Sequence, residues 1–362
     1  MELLKDENFQ GAVKGGEVQL FTLRNKKGCV AQFTNYGARW LSMWVPDKNN
    51  QWSDVVLGFE SLDEYLNAKE KYYGAVVGRV CGRIDKGAFE LGGIKYQLAN
   101  NDLFGKPVKN HLHGGFEGFS FRAWSGKVLL NDQGEESLEL TLFSKDGEEG
   151  YPGNLEVKVI YTLQDDNSIR INYSARTDKA TIINLTNHAY FNLHNDMNKD
   201  VLDHFICIYA ESSIECDDEL IPTGNIISVK DTPLDFNAPQ TIGSRLDQSF
   251  PGQLFPGKGY VVSYVLNGPN NTLRLAAAVE EKESGRVMQV YTDQPGLQFY
   301  NGWLFDGTDV GKNGQRYFSS GGLALEAQGF PDAPNHANFP AIVLHPEEIY
   351  QQTTIYRFLT VH

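Results

Sequence analysis

Apolar and polar residues alternate with a period of two along most of this chain. In "LEVKVIYTL", Leu155, Val157, Val159, Tyr161 and Leu163 share one side, and "SIRINYSA" repeats the pattern after Asp165, Asp166 and Asn167. That combination predicts a β-hairpin. "SLELTLFS", from Ser137, follows the turn "NDQGEE" in the same way, and turn clusters recur as far as "PEEIYQQTTIYRF". The one clear helix start is "SLDEYLNAKEKYY", where Ser61 and Glu64 form a capping box. The prediction is an all-β chain, organised as a large antiparallel β-sandwich with few short helices. With no repeat, low-complexity segment or flexible linker in 1–362, a single domain is expected. The Pro/Gly-rich "DQSFPGQLFPGKG" is expected to cross the surface.

One predicted strand, "TIINLTNHAYFNLHND", departs from the rest in its side chains. A period of two places Ile183, Leu185, Ala189, Phe191 and Leu193 on one face, and Asn184, Thr186, His188, Tyr190 and Asn192 on the other. The apolar face belongs in a core. The opposite face is expected to meet water or line a polar groove, which makes His188 and Tyr190 candidate ligand-facing residues.

The composition narrows what such a groove could hold. Across 362 residues the net charge is −14, which disfavours nucleic acid and anionic membrane surfaces as partners. Cys29, Cys81, Cys207 and Cys216 are widely spaced, with no CxxC pair, and read as reduced core thiols. The stretch "MELLKDENFQ" has neither a basic nor an apolar leader region, and no apolar run is long enough to span a bilayer, so a cytoplasmic protein is expected.

Three further segments carry chemistry. "KNHLHGGFEGF" places His111 and His113 on one face of a strand, with Gly114 and Gly115 allowing a backbone close to a ligand. His-x-His followed by Glu117 is also half of a cupin metal pattern. The other half, a Pro-x-Gly turn followed by histidine, is missing from "YPGNLEVKVIY" and "FPGKGYVVSY", and no metal is expected. In "LALEAQGFPDAPN", Glu326 lies between Leu325 and Ala327, with Gln328 as the polar companion on its face, and a carboxylate in such a run is a candidate base. "GRVCGRIDKG" contributes Arg79 and Arg83, each either a structural ion-pair partner or a ligand clamp. The five tryptophans and 12% aromatic content suit flat-faced ligands such as sugars, although most aromatic rings belong in the core.

These segments together resemble the aldose 1-epimerases, the galactose mutarotase family, in that family's order: "GRVCGRI", "NHLHGG", "GEEGYPGNLEVKVIYTL", "NLTNHAYFNL", "GLQFYNG" and "LALEAQGFPDAPN". The resemblance runs from about Gly37 to Tyr350. It implies a sugar held in an open groove, with Glu326 as general base, His188 as general acid, His113 and Arg83 holding the sugar, and Gln298 lining the groove. It implies no cofactor, in keeping with the lack of a phosphate-binding glycine motif, and a monomer or homodimer. Gly82 stands where the family commonly has asparagine, and Val261 where it commonly has a sugar-binding aspartate. Val261 therefore predicts weakened saturation with a hexose, unless another group such as Asp247 compensates.

The chemistry itself needs little more than these groups. A cyclic hemiacetal opens when a base takes the anomeric proton while an acid protonates the ring oxygen; rotation and reclosure give the other anomer. One carboxylate and one imidazole suffice. Two other readings stay open at this point, a hexose-phosphate 1-epimerase, which would need added basic groups, and a noncatalytic sugar-binding protein.

Overall fold

Period-two alternation becomes two large antiparallel sheets in a computed structural model, which describes residues 1–104, 108–255 and 257–361. Among the described residues one sheet has nine strands, in the order Ser125–Leu130, Glu136–Ser144, Leu155–Leu163, Ser168–Thr177, Tyr350–Thr360, Arg286–Thr292, Arg274–Glu281, Phe205–Ile208 and Gln240–Thr241. The predicted hairpin is there, with Leu155 opposite Thr177 and Leu163 opposite Ile169. The second sheet comprises β1 (Tyr190–Phe191), β2 (Ser212–Cys216), β3 (Pro222–Ser228), β4 (Leu254–Phe255), β5 (Gly259–Val265), β6 (Gly296–Tyr300) and β7 (Leu323–Gln328). Its order is β1-β7-β6-β5-β2-β3, with β4 paired to β5.

The two sheets share a core. Leu140, Val159 and Tyr161 from the first meet Val262, Phe299 and Leu325 from the second in one buried cluster. Polar ties cross the same interface: the Tyr356 hydroxyl donates to the Leu325 carbonyl at 2.7 Å, and Gln352 Nε2 to the Ala327 carbonyl at 3.0 Å. This is the expected sandwich.

The single α-helix among the described residues, α1 (Leu62–Asn67), starts at the predicted cap. Ser61 Oγ accepts the Glu64 amide at 3.3 Å, and Glu64 Oε2 accepts both the Ser61 hydroxyl and the Glu60 amide at 2.9 Å. All four cysteines are free and buried. The "DQSFPGQLFPGKG" connection is mostly exposed at its ends, but Gln253 and Leu254 are buried, because Leu254 and Phe255 turn back to pair with β5.

The stretch read as one strand from Thr181 to Asp196 is not continuous. It makes three two-residue pairings: Thr181–Ile182 with Val343–Leu344, Thr186–Asn187 with Val76–Val77, and β1 with β7. Its apolar face goes where expected, since Ile183, Leu185, Ala189, Phe191 and Leu193 all join the shared core. The opposite face is buried too, against loops that need backbone partners. Asn184 bonds the Gly329 amide and carbonyl, and Asn192 donates to the Lys199 and Gly321 carbonyls. Of the five polar-face residues, His188 and Tyr190 line the pocket that also holds Glu326.

Candidate active site

The pocket lies on the outer face of the second sheet and follows directly from its register. Tyr260, Val262, Tyr264, Leu297, Phe299, Leu323, Leu325 and Ala327 point into the shared core, which sends the intervening residues the other way. Ser263 faces Gln298, and Gln298 faces Glu326, forming one polar row across β5, β6 and β7. The neighbouring row is Val261, Tyr300, Ala324 and Tyr190. His188 reaches the polar row from the segment entering β1. The resulting cavity, of about 160 Å³, is walled by Tyr72, Phe104 and Leu220. A hollow of about 300 Å³ lies elsewhere, under the N-terminal segment beside Trp44 and Lys312. It holds no histidine–carboxylate pair, so size does not pick out the reactive site.

His188 Nε2 stands 3.5 Å from Glu326 Oε1, and the two side chains are only 6% and 3% exposed. Neither is otherwise satisfied: His188 Nδ1 and Glu326 Oε2 have no hydrogen-bond partner among the described residues. Buried polar atoms are normally paired, so these two are reserved for a ligand or tolerated at a cost. Burial pushes the Glu326 carboxyl up to about 8, with the nearby charge of Glu70 adding to the rise, and burial pushes His188 down to about 4. The pair therefore holds one proton over the range between these values, on the carboxyl when nothing is bound. An enclosed carboxyl and imidazole sharing one proton can give and take protons at two adjacent oxygens of a ligand.

The other expected binding residues surround this pair. Arg83 lines the pocket with its Nε 2.7 Å and Nη2 3.4 Å from the Asp102 carboxylate, while Nη1 has no protein partner among the described residues. His113 also lines the pocket, and its Nδ1 accepts the Gly82 amide at 3.2 Å, which places the ring proton on Nε2 as a donor. Burial holds its pKa well below the usual histidine value. Gln298 Oε1 takes the Ser263 hydroxyl at 2.5 Å and leaves the amide NH₂ uncommitted.

Several readings need correction. His111 and His113 do not share a strand face: only His111–Leu112 is a strand, and His113 adopts a left-handed backbone at φ 52°. His111 turns inward, its Nδ1 2.7 Å from the Ala99 carbonyl and its Nε2 2.6 Å from the Tyr151 hydroxyl. Glu117 is at the surface, 2.5 Å from Lys14. The glycine pair serves backbone packing and not a ligand, since a Cβ on Gly114 would strike the Gly78 carbonyl and one on Gly115 the Glu149 carboxylate. Arg79 is structural, caged by the Pro152 and Gly153 carbonyls and the Ser144 hydroxyl, with no carboxylate partner among the described residues. The pocket's aromatic walls are tyrosine and phenylalanine; no tryptophan lines it. Val261 does line it, but Asp247 is exposed and lies outside the lining.

Two lining groups went unread in the sequence. Tyr72 packs its ring 4.6 Å from His113 and, nearly parallel, 5.9 Å from His188. Glu70 brings in a second carboxyl. Both belong to "AKEKYYG", which overlaps the end of the segment "SLDEYLNAKEKYY" opened by the Ser61 cap.

Comparison with known proteins agrees with this geometry. The aldose 1-epimerase family model matches residues 19–357. The galactose mutarotase of Bos taurus is 41% identical over 343 residues, covering 95% of this chain and 94% of its own. The aldose 1-epimerase of Haemophilus influenzae is 38% identical over 337 residues, covering 92% and 93%. Among solved structures, an aldose epimerase homologue from C. elegans superposes with a TM-score of 0.83 at 29% identity, over 95% of this chain and 100% of that one. A galactose 1-epimerase from Lactobacillus acidophilus gives 0.83 at 27%, over 98% of each. The chain belongs to the aldose 1-epimerase family.

Proposed function

We propose that the protein interconverts the α and β anomers of a free aldose, glucose or galactose, with Glu326 as general base and His188 as general acid. The observation that carries this reading is the buried, otherwise unpartnered His188–Glu326 pair in a pocket lined by hydrogen-bond donors. Sugar hydroxyls donating to Glu326 stabilise its charged form and shift the shared proton to His188. Glu326 then takes the anomeric proton while His188 protonates the ring oxygen. Ring opening leaves the carboxyl protonated and the imidazole neutral, the distribution that burial favours in the empty pocket. Closure on the other face of the aldehyde reverses both transfers.

Arg83, His113 and Gln298 hold the sugar through Nη1, Nε2 and the amide, and Tyr190 forms part of the wall. Each proton returns on closure and no electrons move, so these side chains complete the cycle without a cofactor. A phosphorylated hexose suits the pocket less well, because the described residues of its lining include no lysine and the charge of Arg83 is balanced by Asp102. The four free thiols fit a cytoplasmic location. Polarimetry of freshly dissolved α-D-glucose and α-D-galactose tests the reading: faster equilibration is expected, and acceleration confined to phosphorylated sugars, or absent for all aldoses, contradicts it.

A further inference from the structure

The pocket offers a sugar several donors and, besides tyrosine hydroxyls, few acceptors. Arg83 Nη1, His113 Nε2 and the Gln298 amide all donate. On the accepting side, Gln298 Oε1 is occupied by Ser263, and Gln328 Oε1 by the Cys81 thiol at 3.0 Å. A hexose hydroxyl both donates and accepts, so each ring hydroxyl that enters needs somewhere to send its proton. Among the described residues, the carboxylate that lines the pocket with Glu326 is Glu70.

Glu70 is held as a binding group would be. Its Oε1 accepts the Tyr72 amide at 2.9 Å, while Oε2 has no hydrogen-bond partner among the described residues. The backbone around it is clamped from both sides. Asp309 accepts the Lys69 and Glu70 amides at 2.7 and 3.0 Å, and the buried Arg39 guanidinium donates to the Lys71 and Tyr73 carbonyls at 2.8 Å. Its charge acts on Tyr190, Tyr300 and Glu326, which places it beside the row that also contains Val261. Burial raises its carboxyl to about 7, with Asp309 pushing further up and the Tyr72 amide and Arg39 pulling back.

We propose that Glu70 is a hydroxyl acceptor of the pocket beside the reactive pair, taking hydrogen bonds from ring hydroxyls through Oε2 where the sheet itself presents the apolar Val261. The proposal rests on the sugar-epimerase reading and makes Glu70 a specificity-determining residue: it favours aldoses that carry a hydroxyl at that position over their deoxy counterparts.

The test is a kinetic comparison of wild type, Glu70→Ala and Glu70→Gln on D-galactose, D-glucose and their 2-, 3-, 4- and 6-deoxy derivatives, with melting temperatures measured alongside. Loss of charge-assisted hydrogen bonds should raise KM for the parent hexose by about 10- to 150-fold in Glu70→Ala, with kcat much less affected. For one deoxy sugar, wild type and Glu70→Ala should have the same KM. Glutamine can still accept the Tyr72 amide, so Glu70→Gln should melt like wild type yet show a raised KM. Its alkaline pH limit should fall, because the charge that lifts Glu326 is gone. Wild-type KM and pH profile in Glu70→Gln would overturn the proposal, and so would a KM loss spread evenly over all the deoxy sugars. If no free aldose is turned over, the epimerase reading fails by itself. Calorimetric titration with D-galactose then decides for Glu70: weaker binding by Glu70→Ala supports the proposal, and unchanged or absent binding overturns it.

Discussion

His188 and His194 lie in the same short stretch, both buried and both facing a carboxylate, yet their surroundings differ in kind. His194 Nε2 sits 3.0 Å from Asp203 Oδ1, and its Nδ1 sits 3.6 Å from Glu281 Oε1. Beside it, His204 Nε2 accepts the Leu193 amide at 3.0 Å and Nδ1 meets Asp203 at 3.1 Å. Glu281 is fixed by the Glu283 and Ser284 amides at 2.7 Å. His194 Nε2, both His204 nitrogens and both Glu281 oxygens therefore have hydrogen-bond partners. The Leu193 amide also forces the proton of His204 onto Nδ1, which removes the lone pair a metal would need there. His188 and Glu326 instead each keep one buried atom without a partner. A satisfied cluster holds the chain in place, whereas an unsatisfied pair in a pocket leaves its hydrogen-bonding capacity to a ligand.

The contrast breaks most readily at the reactive pair. Glu326→Gln and His188→Asn should each lower kcat by about 10²- to 10⁴-fold, measured by polarimetry with a saturating α-anomer. Near-normal turnover in either would mean that the pair is no more reactive than its neighbour.

The pair's titration sharpens the same contrast. Because one shared proton is needed, kcat/KM should be bell-shaped, declining below about 4 as His188 also takes a proton and above about 8 as Glu326 loses its own. A profile that is flat across pH 8 would detach Glu326 from catalysis.

Stability should respond the other way round. Asparagine at position 204 is too short to span Leu193 and Asp203, so His204→Asn should cost about 1 to 3 kcal/mol in denaturant unfolding and leave kcat unchanged. Glu326→Gln should raise stability by roughly 1 to 3 kcal/mol at pH 8. The folded-state value of Glu326 is raised, so its contribution is complete below the ordinary carboxylate range and is lost as pH climbs toward about 8. Variant and wild type should therefore converge near pH 4. The smallest effect is expected from chelation, which should leave turnover unchanged, since both His111 nitrogens are engaged and Glu117 pairs with Lys14 at the surface.

What could be read from the sequence divides along physical lines. The sandwich, the Leu155–Thr177 hairpin and the inward set from Ile183 to Leu193 were legible because burial on one side of a strand enforces alternation. By the same logic Glu326, Gln298 and Val261 stand on the pocket face, each flanked by core residues. The breaks in the 181–196 stretch were not legible, since Asn184 and Asn192 satisfy distant loop backbones and their partners are set only by the fold. Nor was Glu70, which reaches the pocket through contacts with Asp309 and Arg39, each remote in the chain. His111 and His113 part because His113 itself is left-handed, a change of direction that strand periodicity does not register.

The central claim is that the unpartnered histidine works on a sugar while the partnered one works on the fold. The direct measurement is His188→Asn beside His204→Asn, each assayed for α-D-galactose equilibration and for melting temperature in the same buffer. The account predicts that His188→Asn loses turnover and keeps its melting temperature, and that His204→Asn melts earlier at undiminished turnover. Loss of both properties together in both variants would contradict it.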